Sequence, residues 1–207
     1  MESAIENAGL LPPVSDQFGD ILGNLKSKFR IEQPGHIDFH LEQFSIFKDY
    51  LDISVKQSYA IKNKNNDSYM LFTECQPKHI THHHGKAVTG PQYQTWALAY
   101  LKHDFGRVLI RRETLVDKII ELIHPVELDF AEDKAFSDTF YMLVSDRQKA
   151  ITGADRNFRN VVMDIRLDDF VIEIVEHTLV IGNTHPISVE KALHLAEFVS
   201  RLCTTCD

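Results

Sequence analysis

The stretch DFVIEIVEHTLVIGN, at residues 169–183, carries two alternating apolar runs on either side of Glu176 and His177. Its alternating apolar positions are Phe170, Ile172, Ile174, Leu179 and Ile181. Apolar residues at every second position are typical of a strand with one buried face. Two such runs joined by a two-residue step predict a tight hairpin, so we expect antiparallel strands here.

Further β-prone runs lie in the first half of the chain. DISVKQSYAI and SYMLFTEC flank the turn-forming residues KNKNND at 62–67, which predicts a second hairpin. TWALAYLK and RVLIRR flank HDFG at 103–106 and are predicted to form another pair of strands. Between these pairs, residues 76–94 show no periodicity and predict a long loop or a loose hairpin tip.

Helical patterns surround these strands. An N-terminal helix is predicted by an apolar stripe at Phe18, Ile21, Leu22, Leu25 and Phe29. A second is expected from Thr114, where Asp117 completes a capping box, to Pro125, and a terminal one from Ser188 to about Cys203. Residues 36–51 fit neither pattern consistently. Because helices and hairpins interleave without regular βαβ order, the predicted class is α+β with a largely antiparallel sheet and amphipathic N- and C-terminal helices.

Length and charge limit the functions to be considered. With 207 residues and 43% apolar side chains, the chain is predicted to form a single domain over 1–207, in which 1–94 could be a looser lobe. A net charge of −8 and the lack of a basic cluster disfavour nucleic acid as a partner. No signal peptide and no apolar run of spanning length is present, and there are only three cysteines. We therefore expect a soluble, cytoplasmic protein without membrane insertion.

The clearest candidate site is the histidine-rich stretch HITHHHGK at 79–86, just after Cys75. Cys75, His79, His82 and His84 are spaced C-x3-H-x2-H-x-H, and thiolate with imidazole is a donor set that suits zinc. The alternative is a polar loop with no cofactor, since adjacent histidines on an extended chain point in alternating directions. Both interpretations stay open from the sequence.

Other constellations point less clearly to chemistry. CTTC at 203–206 has the CxxC spacing but lies at a helix end, where the helix dipole does not favour a thiolate. Acidic pairs such as Glu173 and Glu176 are interpreted as solvated turn residues. The common nucleotide-binding and hydrolase motifs are absent. This lowers the expectation of an enzyme without deciding the question.

The second half of the chain resembles a known family. The runs FGRVLIRRETLVDKIIELI, LDFAEDKAFSDTFYMLVSDRQKAI and VIEIVEHTLVI, with the closing helix, are similar to a bacterial family of uncharacterised domains that often follow transmembrane helices. The resemblance covers roughly residues 95–203 and implies a soluble α+β domain with no assigned activity. It also suggests, as a third possibility for function, peripheral attachment to a membrane complex.

The sequence best fits a non-catalytic binding or interaction module. Its expected partner is another protein, or a second copy bound through a sheet edge or the terminal helix. The alternative is a zinc-dependent protein, such as a hydrolase, in which Cys75, His79, His82 and His84 hold the metal.

Overall fold

The computed structural model describes residues 12–78, 81–83, 86–88, 90–112, 125–184 and 186–205. Its strands are β1 (Ile31–Glu32), β2 (Tyr50–Ile61), β3 (Ser68–Pro77), β4 (Thr81–His83), β5 (Lys86–Val88), β6 (Gln92–Tyr100), β7 (Arg107–Arg112), β8 (Val126–Glu127), β9 (Phe140–Val144), β10 (Val171–Val175) and β11 (Thr178–Gly182). The helices are α1 (Pro12–Lys28), α2 (Lys134–Ser137), α3 (Arg147–Gly153), α4 (Arg156–Val162) and α5 (Val189–Thr205). Short 3₁₀ helices cover Leu41–Gln43, Ser45–Phe47 and Met163–Ile165.

Nine strands form one sheet in the order β1-β2-β3-β6-β11-β10-β7-β9-β8. Every neighbouring pair in this order is antiparallel. Strands β4 and β5 form a separate small hairpin within the predicted loop at 76–94. The α+β class with a largely antiparallel sheet is therefore confirmed, and strands from both halves of the chain share the sheet.

Two of the predicted hairpins are confirmed. Strands β2 and β3 pair across residues 62–67, and β10 and β11 pair around Glu176 and His177, with Val175 opposite Thr178. Glu176 has a φ of 54°, the left-handed conformation that a tight hairpin turn requires. Alternation around Glu176 and His177 was enough to predict the last hairpin, and two β-prone runs around a turn-forming cluster were enough to predict the first.

The predicted pairing of β6 with β7 is wrong, although both strands exist. The β10–β11 hairpin lies between them, so that Leu98 faces Val180 and Leu109 faces Glu173. The link between β6 and β7 bonds to the tip of this hairpin, because the Leu101 amide donates to the His177 carbonyl at 2.7 Å. The connection wraps around the tip of this hairpin, so two strands, β11 and β10, lie between β6 and β7 in the sheet.

One face of the sheet, here called the helical face, is covered by helices. The two predicted terminal helices both lie here and bury their predicted apolar stripes. From α1 these buried residues are Phe18, Ile21, Leu22 and Leu25; from α5 they include Leu195, Val199, Leu202 and Cys203. The predicted second helix, from Thr114 to Pro125, lies outside the described residues up to position 124.

The opposite face, here called the segment face, is covered by residues 36–48. This is the stretch whose sequence pattern was mixed, and it forms two 3₁₀ turns instead of a strand or an α-helix. Its aromatic side chains pack on the sheet, with the Phe47 ring 4.8 Å from the Trp96 ring. The apolar residues of the segment contact the sheet at irregular intervals along the chain. For this reason neither the helical nor the strand period fits the segment.

Candidate binding groove at the edge of the sheet

Strand β2 lies next to one edge of the sheet and is only partly covered there. Strand β1 pairs with Ile61 and Ala60 alone. Pro34 follows two residues after β1 and has no amide hydrogen to donate, so the ladder stops. In the described parts of the chain, no strand pairs with the outer edge of β2 between Tyr50 and Tyr59. The outer edge from Tyr50 to Lys56 is thus not paired with another described strand.

A groove runs along this edge. It has a volume of about 590 Å³ and lies between residues 33–42 and residues 53–58 of β2. Its apolar lining includes Ile37, Phe39, Ile53 and Val55. A smaller cavity of about 350 Å³ continues toward Tyr50 and shares Ile53 with the groove. Together they follow most of the uncovered strand.

The rim of the groove carries charge. Asp38, His40 and Glu42 each offer a ligand atom within 4.8 Å of the others, and all three are exposed. His40 has a φ of 48°, and its Nδ1 lies 3.4 Å from both carboxylates. Such donors could hold a metal, but exposed clusters of this kind are common without an ion. We therefore treat the three residues as a polar rim, which sequence reasoning missed.

Two bulges divide β2 into short regular parts. The register with β3 shifts between Tyr50 and Asp52 and again between Val55 and Gln57, which leaves a regular stretch at 52–55. In it Ile53 and Val55 pack toward the segment face. Bulges next to an edge commonly re-aim side chains.

Lys56, the extra residue of the second bulge, points to the helical face. Its Nζ lies 2.9 Å from Glu74, which also accepts a hydrogen bond of 2.7 Å from the Tyr93 hydroxyl. The hydroxyl bond first, and the bond from Lys56 second, lower the pKa of Glu74. The edge thus presents a fixed ammonium on one face and apolar side chains on the other.

The segment at 36–48, part of which lines the groove, is bonded to Glu173 of β10, whose side chain is fully buried. The carboxylate accepts bonds from the Ser45 amide at 2.9 Å, the Ser45 hydroxyl at 2.8 Å and the Ile46 amide at 2.9 Å. Arg107 donates to the same carboxylate at 2.8 Å. The interpretation of Glu173 as a solvated residue is therefore wrong, because the segment face is covered at this point.

The four predicted zinc ligands are only partly described. Cys75 is buried on β3, with its Sγ 3.3 Å from the Gln94 Oε1 that also accepts from the Trp96 indole. Burial raises the pKa of the Cys75 thiol to about 11. His82 belongs to β4 with its side chain not described, while His79 and His84 lie outside the described residues. The zinc site stays a prediction.

The state of Cys75 can be measured. With a pKa near 11, about 10⁻⁴ of the thiol is ionised at neutral pH, so we expect Cys75 to resist iodoacetamide in the folded protein. Mass spectrometry of alkylated peptides, with the urea-unfolded chain as control, gives the modified fraction. Chelation by EDTA is expected to leave this fraction unchanged. A thiol that reacts only after chelation would instead support Cys75 as a zinc ligand.

The fold and the groove together define an α+β protein with an antiparallel sheet, one helical face and one partly uncovered edge. No family model matches the sequence, and no curated protein matches it either. Every helix in the described ranges is too short or too polar to span a lipid bilayer.

Among solved structures, the chain is similar to the mycobacterial trehalose monomycolate transport factor A, TtfA. The TM-score is 0.55 at 8% sequence identity, over 94% of this chain and 95% of that chain. At this identity the likeness shows a shared fold.

Proposed function

We propose that this chain is a non-catalytic binding module that receives an extended segment of a protein along the outer edge of β2. The observation that carries the proposal is the stretch of β2 whose outer edge no described strand covers, beside a groove lined by both polar and apolar side chains. A strand edge offers backbone amides and carbonyls to an incoming strand, and side pockets add selectivity. The half-buried Ile53 and Val55 would contact every second side chain of the incoming segment.

The described carboxyl groups whose pKa is lowered have structural partners. Among the described residues, the carboxyl groups with lowered pKa are Glu74, Asp104, Asp133 and Asp169. Each is bonded to a cation of the fold, as Asp104 is to Lys149 at 2.6 Å. Such groups stay ionised at neutral pH, whereas a general acid needs a raised pKa. Their arrangement therefore stabilises structure.

Selection from a displayed peptide library tests the proposal. We expect peptides that bind the wild-type chain and whose affinity falls about tenfold for Ile53→Ser or Val55→Ser, since each change removes apolar contact area. Hydrogen exchange should show new protection of amides within 50–59 when a selected peptide is bound.

The matched control is Val126→Ser, which changes an apolar side chain that is 48% exposed at the opposite edge of the sheet. It should leave the affinity unchanged. Selection that yields no binder, or binders that protect other amides and tolerate Val55→Ser, would contradict the proposal.

A further inference from the structure

We infer that the segment received at this edge is β2 of a second copy of the chain, paired antiparallel about a two-fold axis; this rests on the proposed function. The edge is the same surface on both copies, so a two-fold pairing requires a self-complementary strand. Strand β2 has this property around Ser54. Apolar Ile53 and Val55 flank Ser54, and the opposite charges Asp52 and Lys56 lie one position further out on each side.

Geometry limits the registers. Directly opposed residues of antiparallel strands point to the same face of the sheet. A two-fold axis perpendicular to a continuous sheet must therefore lie midway between the two copies of one residue, so that this residue is opposite its own copy. An axis that placed a residue opposite the next residue in sequence would put side chains from different faces against each other. The regular part of β2, from Asp52 to Val55, offers four such axes.

The four axes give different contacts. An axis at Asp52 opposes two carboxylates, and an axis at Val55 opposes Ile53 with Gln57. An axis at Ile53 leaves Asp52 opposite Ser54. Only the axis at Ser54 opposes Ile53 with Val55 and Asp52 with Lys56, and each of these contacts then occurs twice. Complementary charge and apolar contact thus select one register.

The environment of the strand fits this register. Ile53 and Val55 of each copy would meet on the segment face, where the groove provides about 590 Å³. Asp52 of the second copy would approach Lys56 on the helical face. The Lys56 ammonium already bonds Glu74 at 2.9 Å and has three hydrogens, so it can serve a second carboxylate.

Sedimentation velocity over a wide range of protein concentration tests the inference. The wild-type chain is expected to shift from monomer to dimer as the concentration rises. Asp52→Lys makes both Asp52–Lys56 contacts of the dimer lysine against lysine, and Lys56→Glu makes both of them acid against acid. Each single variant should dimerise at least about tenfold more weakly. The double variant Asp52→Lys with Lys56→Glu should dimerise again.

Mixing the two single variants gives the most specific test of the register. A chain with Asp52→Lys and a chain with Lys56→Glu should form a heterodimer with each other while each remains monomeric alone. Asp20→Lys makes the same charge change at an exposed position of α1. It is the control and should dimerise like the wild type. Circular dichroism confirms that each variant is folded, and Asp52→Lys alone keeps the Lys56–Glu74 pair intact.

The results separate this inference from the proposed function. A monomeric wild type at every concentration overturns the second copy as occupant, and so does an Asp52→Lys chain that dimerises as tightly as the wild type. If selected peptides still protect 50–59 in such a chain, the binding function stands and the occupant is another protein. A monomer for which no edge-binding peptide can be selected overturns both.

Discussion

Replacing Glu173 by alanine is expected to lower the free energy of unfolding by about 3–5 kcal/mol. The change removes a buried carboxylate that accepts four bonds, from two groups of Ser45, the Ile46 amide and Arg107. Arg107 would keep a bond to the Gln43 carbonyl at 2.9 Å but lose its counter-charge. Since whole domains are stable by about 5–15 kcal/mol, urea unfolding should show the loss clearly.

Two further variants test whether the lost carboxylate bonds cause the loss of stability. Glu173→Gln keeps the size of the side chain and one carbonyl acceptor, so it should cost less than alanine. Glu127→Ala removes an exposed carboxylate from β8 and should change stability by about 0.5 kcal/mol at most. A loss below about 1 kcal/mol for Glu173→Ala would mean that the segment at 36–48 is held mainly by its aromatic contacts.

Replacing Asp133 by asparagine is expected to cost about 2–3 kcal/mol near neutral pH. The Arg159 side chain is only 7% exposed and donates to the Asp133 carboxylate at 2.8 Å. It also lies 4.2 Å from the centre of the Phe130 ring and donates to the Ala154 carbonyl at 2.8 Å. Losing the carboxylate charge leaves a nearly buried guanidinium for which the exposed Glu132 is the remaining counter-charge among the described residues. Asparagine can still cap α2, as Asp133 does through the Phe136 amide.

The cost of this change should depend on pH. The bond from Arg159, as the main cause, lowers the pKa of Asp133 below its ordinary value. A carboxyl group with a lowered folded pKa stabilises the fold fully above its unfolded pKa, near 4, and loses this effect as the pH falls through the folded pKa. The difference between wild type and Asp133→Asn should therefore be constant above about pH 5 and narrow below about pH 4.

Urea unfolding at several pH values measures the difference. Asp138→Asn, at an exposed position five residues on, is the matched control and should have a small effect throughout. A difference for Asp133→Asn that stayed constant down to low pH would show that the packing of Arg159, and not its charge pairing, supports this corner of the fold.

Local pattern was sufficient for much of the fold. The alternation around Glu176 gave the last hairpin, and the stripes of α1 and α5 gave the buried helix faces, because burial on one side sets the period. Pairing between distant strands was not predictable in the same way. Nothing in TWALAYLK or RVLIRR indicates that Leu101 bonds to His177, so the two strands were assigned to each other.

The groove itself was the harder feature to predict. A protein or a second copy at a sheet edge was expected, but which strand lies at the edge depends on the whole strand order. One signal was available for its wall: Glu173 stands in the run VIEIV with apolar neighbours on both faces. A carboxylate in a strand that is apolar on both sides indicates a buried acceptor as readily as a solvated one. The ambiguous stretch 36–51 is then a candidate for the segment that covers it.

The place of the β10–β11 hairpin in the sheet has a consequence for synthesis of the chain. Strands β6 and β7 are made early, yet β7 pairs with β10 and β6 pairs with β11, the two strands of a hairpin that ends at Gly182. Until those residues leave the ribosome, each early strand has an open edge in what becomes the middle of the sheet. Exposed edges of this kind favour aggregation and slow, non-local folding. Nascent chains that stop before the hairpin should therefore depend on chaperones much more than the finished protein does.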